Sequence, residues 1–406
     1  MDVSLLFEFL QVAVGNRRSL SGSVTDADWL RLFEFCKKQA LIGVGFTAVE
    51  KLHVLGVVCP AAIRMQWMAL ALQIEKRNGL LNEQCKKLTE QYGHDGLSTC
   101  ILKGQGNCIN YPEDLRKRRQ CGDIDVWTAP LCDISVAVQT GSNDVEYVTY
   151  KGFRAVREYV KKQHRIDGYF EKPVVRYHHI EAPKIDGTDV EVHFRPCYAN
   201  SPLRNWRMQR WFNDHADVCM KNKTHMGFAV PTASVNVVYQ MCHLFSHYFD
   251  EGIGLRQLMD YYFALRVWHN DVMECKDLQS QCMWSEGLGT PVMSAQEVMA
   301  VIRSFGMGKF AAAVMFVLHE VFAIPTNYYI CEPNEKEGRK LLEEIMKGGN
   351  FGQYDERGKE LKNGGMVKHG VWKLKRVMRL VRSYPEEALW EPVFRVWHLG
   401  WRMIHY

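Results

Sequence analysis

"QCGDIDVW", residues 120–127, is the stretch on which the reading of this chain turns. Asp123 and Asp125 bracket Ile124, and Val126 and Trp127 follow, so a segment with strand character carries two carboxylates at i and i+2. Alternate strand residues point to one face, which sets the two acids side by side. Adjacent carboxylates repel unless a cation lies between them, and an unpaired carboxylate is costly to bury. A hard divalent ion such as magnesium takes oxygen ligands, commonly one or two carboxylates together with phosphate oxygens. The pair therefore reads as half of a metal–phosphate site.

Working outward, the hairpin run "GTDVEVHFRP", residues 187–196, offers a third carboxylate. Glu191 lies between Val190 and Val192, where a charge needs a reason to be, while Asp189 sits nearer the turn and is expected in solvent. His193 shares the face of Glu191, placed either to orient it, to contact substrate or to serve as a hydrogen-bonded structural histidine. Upstream, "CILKGQG", residues 100–106, ends a predicted strand with Lys103, Gly104 and Gly106. A glycine turn leading into a helix can present backbone N–H groups to phosphate, and Lys103 adds a point charge.

Taken in order, "LKG" (102–104), the basic segment with Arg118 and Arg119, "GDIDVW" (122–127) and "VEVHFRP" (190–196) resemble the bacterial family of uncharacterised nucleotidyltransferases within the polymerase β-like superfamily. The resemblance extends to "DADWLRLFEFCKKQALIGVGF" (26–46), "HLFSHYFDEGIGLRQLMDYY" (243–262) and "GGNFG" (348–352), and so covers most of the chain. It implies an α+β fold, with a polymerase β-like core of a small mixed sheet and helices flanked by N- and C-terminal helical regions. It also implies roles. Gly104 with Lys103 would hold nucleotide phosphate, and Asp123, Asp125 and Glu191 would be the catalytic, metal-binding carboxylates for Mg2+ or Mn2+. The commoner superfamily turn has Gly-Ser where this chain has Lys-Gly. The implied reaction is transfer of a nucleoside monophosphate from a nucleoside triphosphate such as ATP to an acceptor, with release of pyrophosphate. The acceptor is left open among a small molecule, a protein side chain and an RNA end.

Other residues have two readings each. His243 and His247 lie at i and i+4, a spacing that suits metal ligands, but position 244 is Leu and no HExxH motif is formed; packing or substrate contact is the simpler expectation. Arg256 and Asp260, also at i and i+4, form either an intrahelical ion pair or part of the active cleft. Arg118 and Arg119 either approach phosphate or belong to a solvated basic loop.

The whole chain sets the frame. It has 406 residues, 47% hydrophobic and 24% charged, which suits a globular protein of two or three domains. Residues 1–95 read as a helical region, with Thr25 and Asp28 as a capping-box-like start. Residues 96–201 read as the catalytic domain of short strands, 202–346 as a helical domain, and 347–406 as a glycine-rich flexible loop followed by basic, tryptophan-rich helices. "VVRYHHI" and "DVEVHFR" are expected to pair antiparallel through "EAPKIDGT". In "KHGVWKLKRVMRLVR", residues 368–382, Val371, Leu374, Val377, Met378 and Val381 predict an apolar stripe beside a solvated basic face. The opening residues, with Asp2, Glu8 and a trailing Arg17-Arg18 pair, are not expected to act as a secretory signal, and no apolar run is long enough to suggest a bilayer span. Thirteen cysteines without a CxxC pair suggest neither disulfide framework nor zinc ribbon, so a cytoplasmic location is expected. The net charge of +5 is mild and argues against a long nucleic-acid partner. A non-catalytic nucleotide-binding or protein-interaction module that keeps the fold is the competing function.

Overall fold

The computed structural model describes residues 3–131, 134–139, 145–166, 173–280, 292–357 and 365–405. Four helices come first: α1 (Val3–Val14), α2 (Asp26–Lys38), α3 (Ile42–Val54) and the long α4 (Ala61–His94). The Thr25–Asp28 capping box starts α2, each side chain bonding the other's backbone N–H. Strand β1 (Leu97–Ile101) is followed by short helices α5 (Gln105–Cys108) and α6 (Glu113–Arg116), then by β2 (Ile124–Pro130), β3 (Ile134–Gln139), β4 (Val145–Tyr150) and α7 (Phe153–Ile166). After β5 (His179–Ile185) and β6 (Thr188–His193) the chain is helical: α8 (Pro202–Asp214), α9 (Ala216–Lys221), α10 (Ala233–Asp250), α11 (Leu255–Ser280), α12 (Ala295–Ser304), α13 (Gly308–Phe322) and α14 (Glu335–Gly348). A basic helix (Met366–Leu380) and a tryptophan-rich helix (Pro385–His405) end it.

The main sheet has the order β1-β2-β6-β5, with β2 and β6 parallel and the outer pairs antiparallel. Its two faces differ by residue parity. Ile124, Val126, Ile180, Val190 and Val192 pack beneath Leu81 and Leu88 of α4 and Val156 and Val160 of α7. Each such fully buried aliphatic side chain contributes about 1.5–3 kcal/mol, which anchors the strands on that side. The opposite face carries Asp125, Glu191 and His193 and looks toward α10. A two-stranded antiparallel sheet, β3–β4, stands apart; no strand was expected there.

Three expectations are corrected by the backbone. The turn joining β5 and β6 is only Asp186-Gly187, with φ of 48° and 80°. Two consecutive positive φ values make the tight turn that matches strand twist, so the strands run right up to it, and "EAPKI" is strand rather than loop. Residues 174–178 hold only an isolated bridge, Val175 to Ile180. Secondly, "GGNFG" is built in rather than flexible: a Cβ on Gly352, which has φ of 63°, would lie 1.9 Å from the carbonyl oxygen of Glu251. Gly358 and Gly364 lie outside the described residues.

Thirdly, the basic helix is turned differently from its apolar pattern. Val377 is buried and Val381 half-buried as the stripe requires, but Val371, Leu374 and Met378 are exposed, and Trp372, Leu380 and Arg376 are buried instead. Arg376 donates to the carbonyls of Phe249 (3.0 Å) and Tyr248 (2.5 Å), and Lys373 donates to the Asp250 carbonyl (2.7 Å). Two cations thus cap the C-terminus of α10, where unpaired carbonyls and the helix dipole favour positive charge. The face that carries this capping also buries Trp372, Val377 and Leu380. No helix among the described residues is long and apolar enough to cross a membrane.

Candidate active site

The ladder between β1 and β2 extends one step past the strand, Leu102 N–H donating to the Asp125 carbonyl at 2.9 Å. This brings Lys103 beside the Asp125 side chain, with Nζ 2.6 Å from Oδ1. Gly104 then takes φ of 53° and ψ of −110°, a conformation that side chains disfavour, and turns the chain into α5. The N–H groups of Gly106 and Asn107 bond back to Lys103 and Gly104 within this turn. Those two groups are not presented outward, and the lysine charge is the turn's main offer to an anion.

Asp125 and Glu191 are register partners on the parallel strands β2 and β6, and Trp127 is opposite His193. Oδ1 of Asp125 lies 3.0 Å from His193 Nε2, which is also 3.4 Å from Glu191 Oε2. His179, the β5 partner of His193, adds Nδ1 at 3.4 Å from Glu191 Oε2 and 3.0 Å from His178 Nε2. Burial is the largest influence on Asp125 and opposes its charge, yet Lys103 and His193 outweigh it and hold the carboxyl well below its ordinary value. Glu191 follows the same pattern, with burial overcome by the His193 hydrogen bond. Burial also works against a charged His193, but the two carboxylates raise it above its ordinary value. On Lys103 the desolvation is likewise offset, by Asp125, Asp123 and Glu191, and its ammonium is stabilised.

Asp123 precedes the strand and is exposed. The negative charge of Asp125 raises its pKa, and loss of water around the cavity mouth adds to the effect. Such like-charge repulsion is what a cation would relieve. The ligand atoms of Asp125, Glu191 and His193 lie within 4.8 Å of one another, and so do those of His178, His179 and His193. Nδ1 of His193 and Nε2 of His179 are buried without a hydrogen-bond partner. Carboxylate oxygens with an adjoining imidazole suit a divalent cation, so these residues fit one.

The other wall comes from α11 and the loop before β2. Arg119 grips Asp260 through two bonds, 2.6 and 2.7 Å, and Tyr111 donates to the same carboxylate at 2.7 Å. Asp260 therefore pairs with Arg119 rather than with Arg256. Arg256 donates to the Gln120 carbonyl at 2.7 Å and lies over the Phe351 ring, its Nε buried and unpartnered. His243 stacks on Tyr239 and meets His247 edge-on; burial holds it neutral, well below its ordinary pKa.

These groups line one cavity of about 770 Å³, which holds Lys103, Gly104, Arg119, Asp123, Asp125 and Glu191, together with His193, His243 and Arg256. Arg118 is the exception among the expected site residues. Its guanidinium bonds Glu50, Glu75 and Thr47 of the N-terminal helices, which takes it off the cavity wall. Sequence reasoning missed His178, His179, Tyr239, Phe351 and Lys373. The doublet His178-His179 beside a predicted strand was a usable signal. Phe351, with φ of 51°, was hidden because nothing local marks a strained aromatic that tertiary packing sets against His247 and Arg256.

No curated protein and no solved structure matches the chain. A family model described as "Uncharacterised nucleotidyltransferase" matches residues 25–286, a span that begins at the α2 cap and includes the whole four-stranded sheet, Asp260 and Arg256. With this match over well more than half its length, the chain belongs to that family of uncharacterised nucleotidyltransferases.

Proposed function

We propose that the acidic cavity is the active site of a nucleotidyltransferase with a polymerase β-like core, moving a nucleoside monophosphate from a nucleoside triphosphate to an acceptor. The observation that carries this reading is the side-by-side pair Asp125 and Glu191 on parallel strands, with Lys103 bonded to Asp125. Asp123, Asp125 and Glu191, with His193 adjoining, would hold Mg2+ or Mn2+. Such an ion, when bound, supplies neutralising charge for the triphosphate and lowers the acceptor's pKa.

The chain's own groups do the rest. Lys103 and Arg256 contribute fixed positive charge toward the phosphates, and Gly104 makes the turn that sets Lys103 in place. Arg119, clamped by Asp260, fixes the loop that leads into Asp123. The acceptor oxygen or nitrogen attacks the α-phosphorus in line, the bond to the bridging oxygen of the β-phosphate breaks, and pyrophosphate leaves while the acceptor's proton passes to water. Positioning and preorganised charge account for most of the rate in such a step. A bacterial, cytoplasmic setting belongs to the same reading and agrees with the free thiols of the described residues. The mild net charge favours a small-molecule or protein acceptor over a long nucleic acid.

The test is isothermal titration with ATP, GTP, CTP and UTP, with and without magnesium, on wild type, Asp123→Asn and Asp125→Asn. Magnesium-dependent binding of at least one nucleotide, weakened about tenfold or more in both variants at unchanged melting temperature, is the expected result. Well-folded wild type that binds none of the four contradicts the reading.

A further inference from the structure

A second cavity, of about 720 Å³, opens beside the acidic one and differs from it in kind. Its walls are aromatic: Phe153 at the start of α7, Phe194 after β6, Trp206 on α8, and Trp390 and Trp397 on the tryptophan-rich helix. Trp206, Trp390 and Trp397 remain 58%, 39% and 48% exposed, which is unusual for tryptophan with no assigned partner. Tyr177, Asn200 and Phe394 line both cavities, so the two chambers share a wall.

Among the described residues, one cation faces this apolar groove. The Arg195 guanidinium lies 4.4 Å from the Tyr177 ring centroid, 4.7 Å from Phe153 and 5.4 Å from Phe194, and one of its N–H groups donates to the Tyr177 carbonyl at 2.7 Å. No described carboxylate pairs with it, and burial disfavours its charge. Three rings surround the guanidinium, and beyond its bond to the Tyr177 carbonyl it has further N–H donors for an anion. Beneath it the polar groups are already ordered: Asn205 donates to the Tyr177 hydroxyl at 2.8 Å, and Gln209 donates to Asn205 (3.1 Å) and to the Cys197 carbonyl (2.8 Å).

We infer that this groove is the acceptor site, built for a small molecule with a flat aromatic body and an acidic group, bearing a hydroxyl or amine as nucleophile. The inference rests on the nucleotidyltransferase reading of the neighbouring cavity. A triphosphate needs several cations, and among the described residues lining the groove Arg195 is the one cation, against Lys103, Arg119, Arg256 and Lys373 in the acidic cavity, which makes the latter the better chamber for the donor. The groove's apolar walls and the Arg195 guanidinium suit an aromatic acid, and Tyr177, Asn200 and Phe394, which line both cavities, place its nucleophile at the boundary with the acidic one. There the nucleophile bonds the α-phosphorus, pyrophosphate leaves, and the released proton passes to water.

The first experiment uses anilinonaphthalene sulfonate, an aromatic anion, as the probe on the full chain. Saturable one-site binding is expected, weakened about tenfold in Trp397→Ala and in Arg195→Gln, with magnesium–nucleotide binding in both variants equal to wild type. Trp397 is half-exposed, so its replacement is expected to fold, checked by an unchanged melting temperature, even if the arginine variant does not. Probe binding that neither substitution alters, or no saturable binding, overturns the groove as a ligand site. The second experiment measures nucleotide-dependent pyrophosphate release with a panel of hydroxy- and amino-substituted aromatic acids, sugar phosphates and a denatured protein. Release with an aromatic acid, lost in Trp397→Ala, supports the assignment; release with only sugar phosphates or protein overturns it. Failure of the nucleotide titration itself strikes the transferase reading and leaves the probe result standing, so the two failures are told apart.

Discussion

Asp260 and Arg119 are both nearly excluded from solvent, and their two-bond contact ties α11 to the loop that delivers Asp123. A buried ion pair of this kind contributes little relative to a hydrophobic pair, but breaking it strands a charge. Asp260→Ala is therefore expected to lower stability by about 3–5 kcal/mol, read by urea denaturation, whereas Arg118→Ala, at a more accessible site, should lower it less. Equal losses for the two would contradict the assignment of Arg119 as the buried partner. The sequence made these two arginines look alike, because adjacent residues in a loop carry no periodicity. Their separation comes from which acids the helices bring near: Glu50 and Glu75 for one, Asp260 for the other.

At the scale of elements, the C-terminus of α10 and the basic helix form one unit. The guanidinium of Arg376 is buried against the carbonyls of Tyr248 and Phe249, and Lys373 bonds Asp250 through both carbonyl and carboxylate. Arg376→Ala removes two charge-assisted bonds to otherwise unpaired carbonyls and is expected to cost about 2–4 kcal/mol. Hydrogen exchange should show faster opening of residues 243–250 and 366–380 together; opening of the basic helix alone would mean that the cap is not what holds them. The apolar period placed Val377 correctly but also Val371, Leu374 and Met378, which are exposed, because hydrophobic periodicity cannot weigh an arginine whose partner is the end of a distant helix.

For the whole molecule, histidines buried in the neutral form couple stability to pH. His178 and His243 are held well below their ordinary pKa by burial, and His179 is lowered to about 3 for the same reason. Unfolded, each titrates at about 6.5. Below that value the unfolded chain takes up protons that the folded chain refuses, so stability falls as pH falls. His193 has the opposite sign: its raised folded pKa contributes stability below the unfolded value, lost as pH rises through the folded one. Burial also lowers His398 to about 4, and these four against His193 make the acid loss dominant. In the presence of a chelator the melting temperature should be lower at about pH 5.5 than at about pH 7.5; a higher value at the acid end would contradict the neutral assignment.

By itself the sequence determined those parts of the protein that are local. The Thr25 cap, the Asp186-Gly187 turn, the lysine–glycine turn after β1 and the acids at Asp123, Asp125 and Glu191 each follow from residue type at short spacing, where backbone geometry decides the outcome. Only the tertiary structure decided what those acids face. Pairing β2 beside β6 in parallel set Asp125 against Glu191. Packing of α10, α11 and the two C-terminal helices over that face then chose Arg119 over Arg118, added His178, His179 and Phe351, and left an aromatic groove alongside. The physical reason is range: strand parity and turn dihedrals act within a few residues, while the sharing of buried charge among distant helices depends on which surfaces exclude water together.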